Sequence, residues 1–103
     1  MITRADMKDV LNAVFNECRE LMGHGQKEYA HDEANAMANF ERTGEELGIP
    51  RDKVLMIFAR KHWDGIVSYV NGHKSQRESV KGRINDCINY LVLLRGMIED
   101  NGE

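Results

Sequence analysis

The stretch 78-ESVKGRINDCINYLVLL-94 decides the fold. Val80, Ile84, Cys87, Ile88, Leu91 and Leu94, with Ile98 just beyond, recur at steps of three and four residues, which is the period of one helical face. Leu93 and Met97 lie off that face, so the second half of a helix over roughly 76 to 99 is apolar nearly all round. A surface helix of a monomer has no need of that. Such a helix is either central to a bundle or covered by another subunit.

Working outward, the same period is the only one that repeats. Leu55, Phe58, Ala59, His62, Ile66, Tyr69 and Val70 share a face over about 51 to 71, started by Pro50 and stopped by Asn71-Gly72. Met7, Val10, Leu11, Val14, Phe15, Cys18, Leu21 and Met22 make a face over about 4 to 22. Thr3 and Asp6 resemble a capping box there, and Gly23 supplies a stop. Between them, 32 to 47 carries Ala34, Met37, Ala38, Phe40 and Leu47, with Asp32 as its expected cap and Gly44 as a weak point. The expectation is all-α: a single four-helix bundle-like domain over 1–103 that oligomerises through its C-terminal helix.

Bulk properties exclude several classes. A chain of 103 residues holds one modest core, burying about two-thirds of its unfolded surface. A net charge of -3, with basic residues scattered among acids, argues against a nucleic-acid partner, since backbone binding needs a concentrated basic surface. No apolar run approaches the ~20 residues of a membrane span, and "MITRADMKDV" lacks the core of a secretion signal. Cys18 and Cys87 read as small hydrophobes of a reducing compartment, and a cytoplasmic setting is expected.

Chemistry is suggested by 27-KEYAHDEANAMANFE-41, where Glu28, Asp32, Asn35 and Asn39 fall four, three and four residues apart. Continuous helix would stack them on one face. On the last helix Gly82, Asp86 and Asn89 form a second polar row. Asp86 has mostly apolar helical neighbours, so it must be paired, hydrogen-bonded or bound to a metal. Carboxylates from two helices suit a hard cation such as Mg²⁺, which bridges to phosphates. Glu78 and Asp86 are the metal candidates. On one helix, however, they would stand about 12 Å apart along the axis, so Glu28, Asp32 or Glu33 would have to complete the site. A plainer account also exists: solvated Asn35 and Asn39, Asp32 as a cap, and Asp86 paired with Arg83. His62 reads as a core histidine or a ligand contact, Lys61 as a phosphate contact, and Tyr29 or Trp63 as a surface for a base to stack on. His24, His31 and His73 have no zinc spacing with either cysteine.

Three blocks, "EYAHDEANAMANFE", "LMIFARKHWDGIV" and "ESVKGRINDCINYLVLL", resemble the small phage and bacterial family called nucleotide modification associated domain, first type. The matching positions are Tyr29, Asn35, Asn39, Phe40, Lys61, His62, Glu78, Ser79, Gly82, Arg83, Asp86, Asn89 and Tyr90. The last block is similar, more distantly, to the aspartate-bearing helix of nucleotide pyrophosphohydrolases of the MazG type. That resemblance implies an oligomeric helical bundle binding Mg²⁺ and a nucleoside triphosphate. The chain departs from those enzymes in having Arg83 where their second acid pair has glutamate, and in lacking Glu-x-x-Glu on the second helix. The departure bears on turnover more than on binding. The resulting expectation is a nucleotide ligand held by Tyr29, Asn35, Asn39, Lys61, His62, Arg83 and Asn89, with Mg²⁺ on Glu78 and Asp86 and no residue assigned to catalysis. A protein-interaction module built on the C-terminal helix is the rival.

Overall fold

Thr3 and Asp6 start the first helix as anticipated. The Asp6 N–H donates to the Thr3 hydroxyl (3.1 Å) and the Thr3 N–H to the Asp6 carboxylate (2.9 Å), the reciprocal pair of a capping box. In the computed structural model, which describes residues 1–30 and 34–103, α1 spans Arg4–Gly25. It does not stop at Gly23. A glycine ends a helix by turning left-handed, and Gly23 keeps a negative φ. The helix runs instead into a π-helical turn, Gln26–Ala30. His31, Asp32 and Glu33 lie outside the described residues, and with them the expected cap and two of the acids.

The second helix, α2 (Ala38–Leu47), begins later than residue 32. Asn35 explains part of the delay. Its side-chain oxygen accepts the Met37 N–H (3.1 Å), a turn that competes with helix, and its amide donates to Glu41 (2.8 Å). Of the expected row Glu28, Asp32, Asn35 and Asn39, the three described members therefore do not share one helical face, and Asp32 lies outside the described residues. Glu28 is in the π turn, Asn35 in the turn before α2, and Asn39 on α2 itself. After Gly48, which closes α2 at φ 70°, Pro50 leads into α3 (Arg51–Val70). Gly44 is buried and does not break its helix. A Cβ there would stand 2.6 Å from the Ile49 carbonyl oxygen, so glycine is what allows the tight return of the chain.

Ser79 caps α4 (Val80–Asp100), accepting the Gly82 N–H at 2.9 Å, so this helix also starts later than expected. α3 and α4 run antiparallel. At one end Arg51 donates to Glu41 of α2 (2.9 Å), to Asp100 (2.7 Å) and to Asn101 (3.1 Å). At the other, Arg83 donates to Gln76 (3.0 Å) and to the Lys61 carbonyl (3.4 Å), lying flat over Gly65. Phe40, Val54, Leu55 and Met97 form the core, with Met37, Ile49, Phe58, Tyr90, Leu93 and Leu94 packed around it. Among the described residues the structure is all-α, with four α-helices and no strand.

The phase of α4 corrects the sequence reading. Met97, Leu93 and Leu94 face inward with Tyr90, whereas Ile84, Leu91 and Ile98 face out. Apolar residues occupy both sides of α4, so period alone cannot choose the buried one. The polar residues choose it, because Asp86 and Asn89 have partners within the chain. α1 is also less buried than its pattern implies. Cys18 is its one buried residue, and Met7, Val10, Leu11 and Phe15 are all exposed. It meets α4 at a polar crossing: Asn89 donates to the Cys18 carbonyl (3.0 Å), Asn85 to Glu17 (3.2 Å), and the Cys18 thiol to the Asn85 carbonyl (3.7 Å).

Gly44→Ala tests the tight turn. Alanine would gain about 1 kcal/mol of helix propensity. Overpacking a backbone oxygen should outweigh that, for a net loss of about 1–2 kcal/mol, read as a lower urea midpoint with unchanged slope.

Candidate functional site

Antiparallel pairing sets the middle of α3 opposite the first half of α4, and this brings His62 to Asp86. Its Nδ1 lies 3.3 Å from an Asp86 carboxylate oxygen and 3.6 Å from one of Glu78. One ligand atom from each of the three residues falls within 4.8 Å of the other two. Glu78 and Asp86 would stand about 12 Å apart only on a shared helix, and α4 starts after Glu78. Glu78 precedes the Ser79 cap, so it is free of the helical rise and its carboxylate turns back toward Asp86. The two expected metal candidates are thus brought together, and among the described residues the third member of the cluster is His62.

His62 is buried (6% exposed), and its Nδ1 makes no hydrogen bond despite the nearby carboxylates, whose alignment is poor. A buried ring nitrogen left without a bond is costly, on the order of 1–3 kcal/mol, and calls for a specific reason. Asp86 is strained differently. Burial pushes its carboxyl pKa up, and Glu78 adds to that push, while His62, Lys61 and Arg83 pull it down. Burial also raises the Tyr90 phenol, whose ring lies 6.0 Å from that of His62.

These groups open into a cleft of about 680 Å³. Leu21, His24 and Gly25 of α1, Glu28 and Tyr29 of the π turn, Asn39 of α2 and Ile57, Phe58 and Lys61 of α3 complete its walls. Asn89 lies beside a smaller cavity of about 140 Å³ that shares Tyr29, Asn39, Asp86 and Tyr90 with it. The expected site residues thus divide. Tyr29, Asn39, Lys61, His62, Glu78 and Asp86 share one cleft, and Asn89 borders it while clamping α1. Asn35 is spent on the turn before α2. Arg83 is held mainly by Gln76 and the Lys61 backbone, although its guanidinium reaches within 3.7 Å of Glu78.

His24, weighed in the sequence only as a zinc ligand and set aside, and Tyr90, given no role there beyond a matching position, both line the cleft; a histidine and a tyrosine carry no spacing signal of their own. The chemistry fits a divalent ion. One imidazole nitrogen and two carboxylates are donors for Mn²⁺, Fe²⁺ or Zn²⁺, and the oxygens alone would suit Mg²⁺. No family model matches the chain, no curated protein is detectably similar to it, and no solved structure matches it.

The raised Asp86 pKa has a pH consequence. Its folded form holds the proton more tightly than the unfolded chain does, so this residue favours folding while protonated. That contribution fades as pH rises from the ordinary carboxylate range through the folded value. With chelator present, Asp86→Asn should melt above the parent at about pH 8, with the gap closing as the pH is lowered toward about 4. Thermal melts across that range measure it.

Proposed function

We propose that the cleft binds a nucleotide or a nucleotide-like phosphate compound through a divalent cation held by His62, Glu78 and Asp86. The observation that carries this is the His62 Nδ1, buried, without a hydrogen bond and within 3.6 Å of two carboxylates on the wall of an open cleft. A cation would satisfy that nitrogen, relieve the carboxylate crowding and offer its outer positions to phosphate oxygens. Lys61 would add a compact positive charge to the phosphates. The Asn39 amide and the exposed Tyr29 ring would meet the base or sugar. The cleft volume lies within the about 300–1,000 Å³ usual for small-molecule sites.

The likeness of the Tyr29–Phe40, Lys61-His62 and Glu78–Tyr90 blocks to the nucleotide modification associated domain, first type, supports the same ligand class and a phage setting. Mg²⁺ remains the cation that the resemblance to the MazG-type enzymes implies, whereas the imidazole donor favours Mn²⁺. Binding or sequestration of a nucleotide follows from this arrangement more directly than turnover. Hydrolysis would require a metal-bound water at this centre. A role as an interaction module is supported by the apolar surface of α4.

Thermal shift with Mn²⁺ or Mg²⁺, alone and with a panel of nucleoside mono-, di- and triphosphates, tests this reading. Saturation at a hundred times Kd should add about 2.7 kcal/mol, or roughly 10 °C or more for a domain of this size. His62→Ala and Asp86→Ala should each remove the cation response. Phosphate or pyrophosphate release in the same mixtures separates an enzyme from a binder. If no cation and no nucleotide moves the melting point, the proposal is wrong.

A further inference from the structure

Glu78 is the member of the His62, Glu78 and Asp86 cluster that no helix holds. It lies in the connection between α3 and α4, one residue before the Ser79 cap, and its side chain is 51% exposed. A long side chain on a loop loses conformational entropy when it is fixed as a ligand, so something must orient it in advance. Of residues 71 to 79, Gln76 alone is not exposed. Its amide nitrogen donates to the Gly65 carbonyl of α3 (2.8 Å) and to the His73 carbonyl (3.1 Å). Its amide oxygen accepts from Arg83 Nε of α4 (3.0 Å). The two ends of this amide are not interchangeable, since an arginine only donates and a carbonyl only accepts. One side chain thus ties the loop to both helices of the hairpin.

The tie needs a glycine. A Cβ at residue 65 would stand 2.5 Å from Arg83 Nε, the atom bonded to Gln76. With the space left open, the Arg83 side chain crosses α3, and its Nη1 comes within 3.7 Å of Glu78 Oε2. That same oxygen stands 3.6 Å from His62 Nδ1. Among the described residues, no backbone hydrogen bond outside the helices involves residues 75 to 78. The side chains of Gln76 and Ser79 therefore hold the chain on either side of Glu78, and Arg83 meets its carboxylate.

We propose that Gln76 is a positioning residue for the cation site: by tying the loop to Gly65 and Arg83, it presents Glu78 to His62 and Asp86 as the third ligand. Gln76 supplies no ligand atom of its own and acts through Glu78. The inference rests on the reading of His62, Glu78 and Asp86 as a cation site, and goes beyond it by assigning what assembles the site. Groups that orient metal ligands from outside the coordination sphere typically change affinity about 10–100-fold when removed.

Mn²⁺ titration, followed by loss of the free-ion electron paramagnetic resonance signal, tests this on the wild-type chain, Gln76→Met, Glu78→Gln and the double variant. Methionine keeps the length of the side chain and removes its hydrogen bonds. Gln76→Met should weaken Mn²⁺ binding about 10–100-fold, and by no more than Glu78→Gln does. The double variant should match Glu78→Gln, because two residues that act through one group are not additive. If Gln76→Met unfolds by far-ultraviolet circular dichroism, Gly65→Ala carries the test. Alanine favours the helix and leaves Gln76 in place, but it displaces Arg83, so Mn²⁺ binding should weaken while the metal-free chain stays folded. Unchanged affinity in the folded variants would overturn the role of Gln76 and leave the cation reading standing. So would a loss in Gln76→Met larger than that in Glu78→Gln, or losses that add in the double variant. A wild-type chain that binds no Mn²⁺ overturns both.

Discussion

The contact between His62 and Asp86 sets the rotation of α4 about its axis, and the rest of the molecule is arranged around that choice. A carboxylate among apolar neighbours can be buried only toward a partner, and the partner on α3 is a histidine. Once Asp86 turns toward α3, Tyr90 must pack near the His62 ring and Met97 must enter the core two turns on. Asn89 is then carried to the α1 crossing, and Ile84, Leu91 and Ile98 are left outside. One polar residue thus decides which of two apolar faces is buried.

The two ends of the α3–α4 hairpin are made differently. At the Arg51 end the guanidinium joins α2, α3 and the end of α4 through oriented charge-assisted bonds, beside the dry cluster of Phe40, Val54, Leu55 and Met97. At the other end are an unbonded imidazole nitrogen and two crowded carboxylates, with Arg83 lying over Gly65 as the brace. A side chain at position 65 would displace that brace, since its Cβ would lie about 2.5 Å from the Arg83 guanidinium. The well-packed end holds the fold, and the end with the unsatisfied nitrogen carries the groups that could bind.

α1 links the site to the exterior. Its C-terminal end and the π turn form one wall of the cleft, while its hold on α4 is a small set of hydrogen bonds around Cys18, Asn85 and Asn89. Such a crossing specifies position more than it contributes apolar burial. π turns recur at binding sites because the extra residue redirects the side chains that follow. Here the turn carries Glu28 and Tyr29 to the cleft wall.

From the sequence alone, the helical period, the Thr3–Asp6 box, the break at Gly48–Pro50 and the loop near Gly72 determined an all-α chain of four helices, because those signals are local. The need of Asp86 for a partner was legible too, since an apolar setting is written in its helical neighbours. The partner's identity was not. His62 lies 24 positions away, and only antiparallel packing of α3 on α4 brings it within 3.3 Å. Tertiary structure also placed Glu78 beside Asp86, because the Ser79 cap releases it from the helix, and it separated Asn35 from Asn39 through a turn bonded to Glu41. Which side of α4 is buried lay beyond a single chain's pattern, because both sides are apolar and only pairing across the bundle distinguishes them.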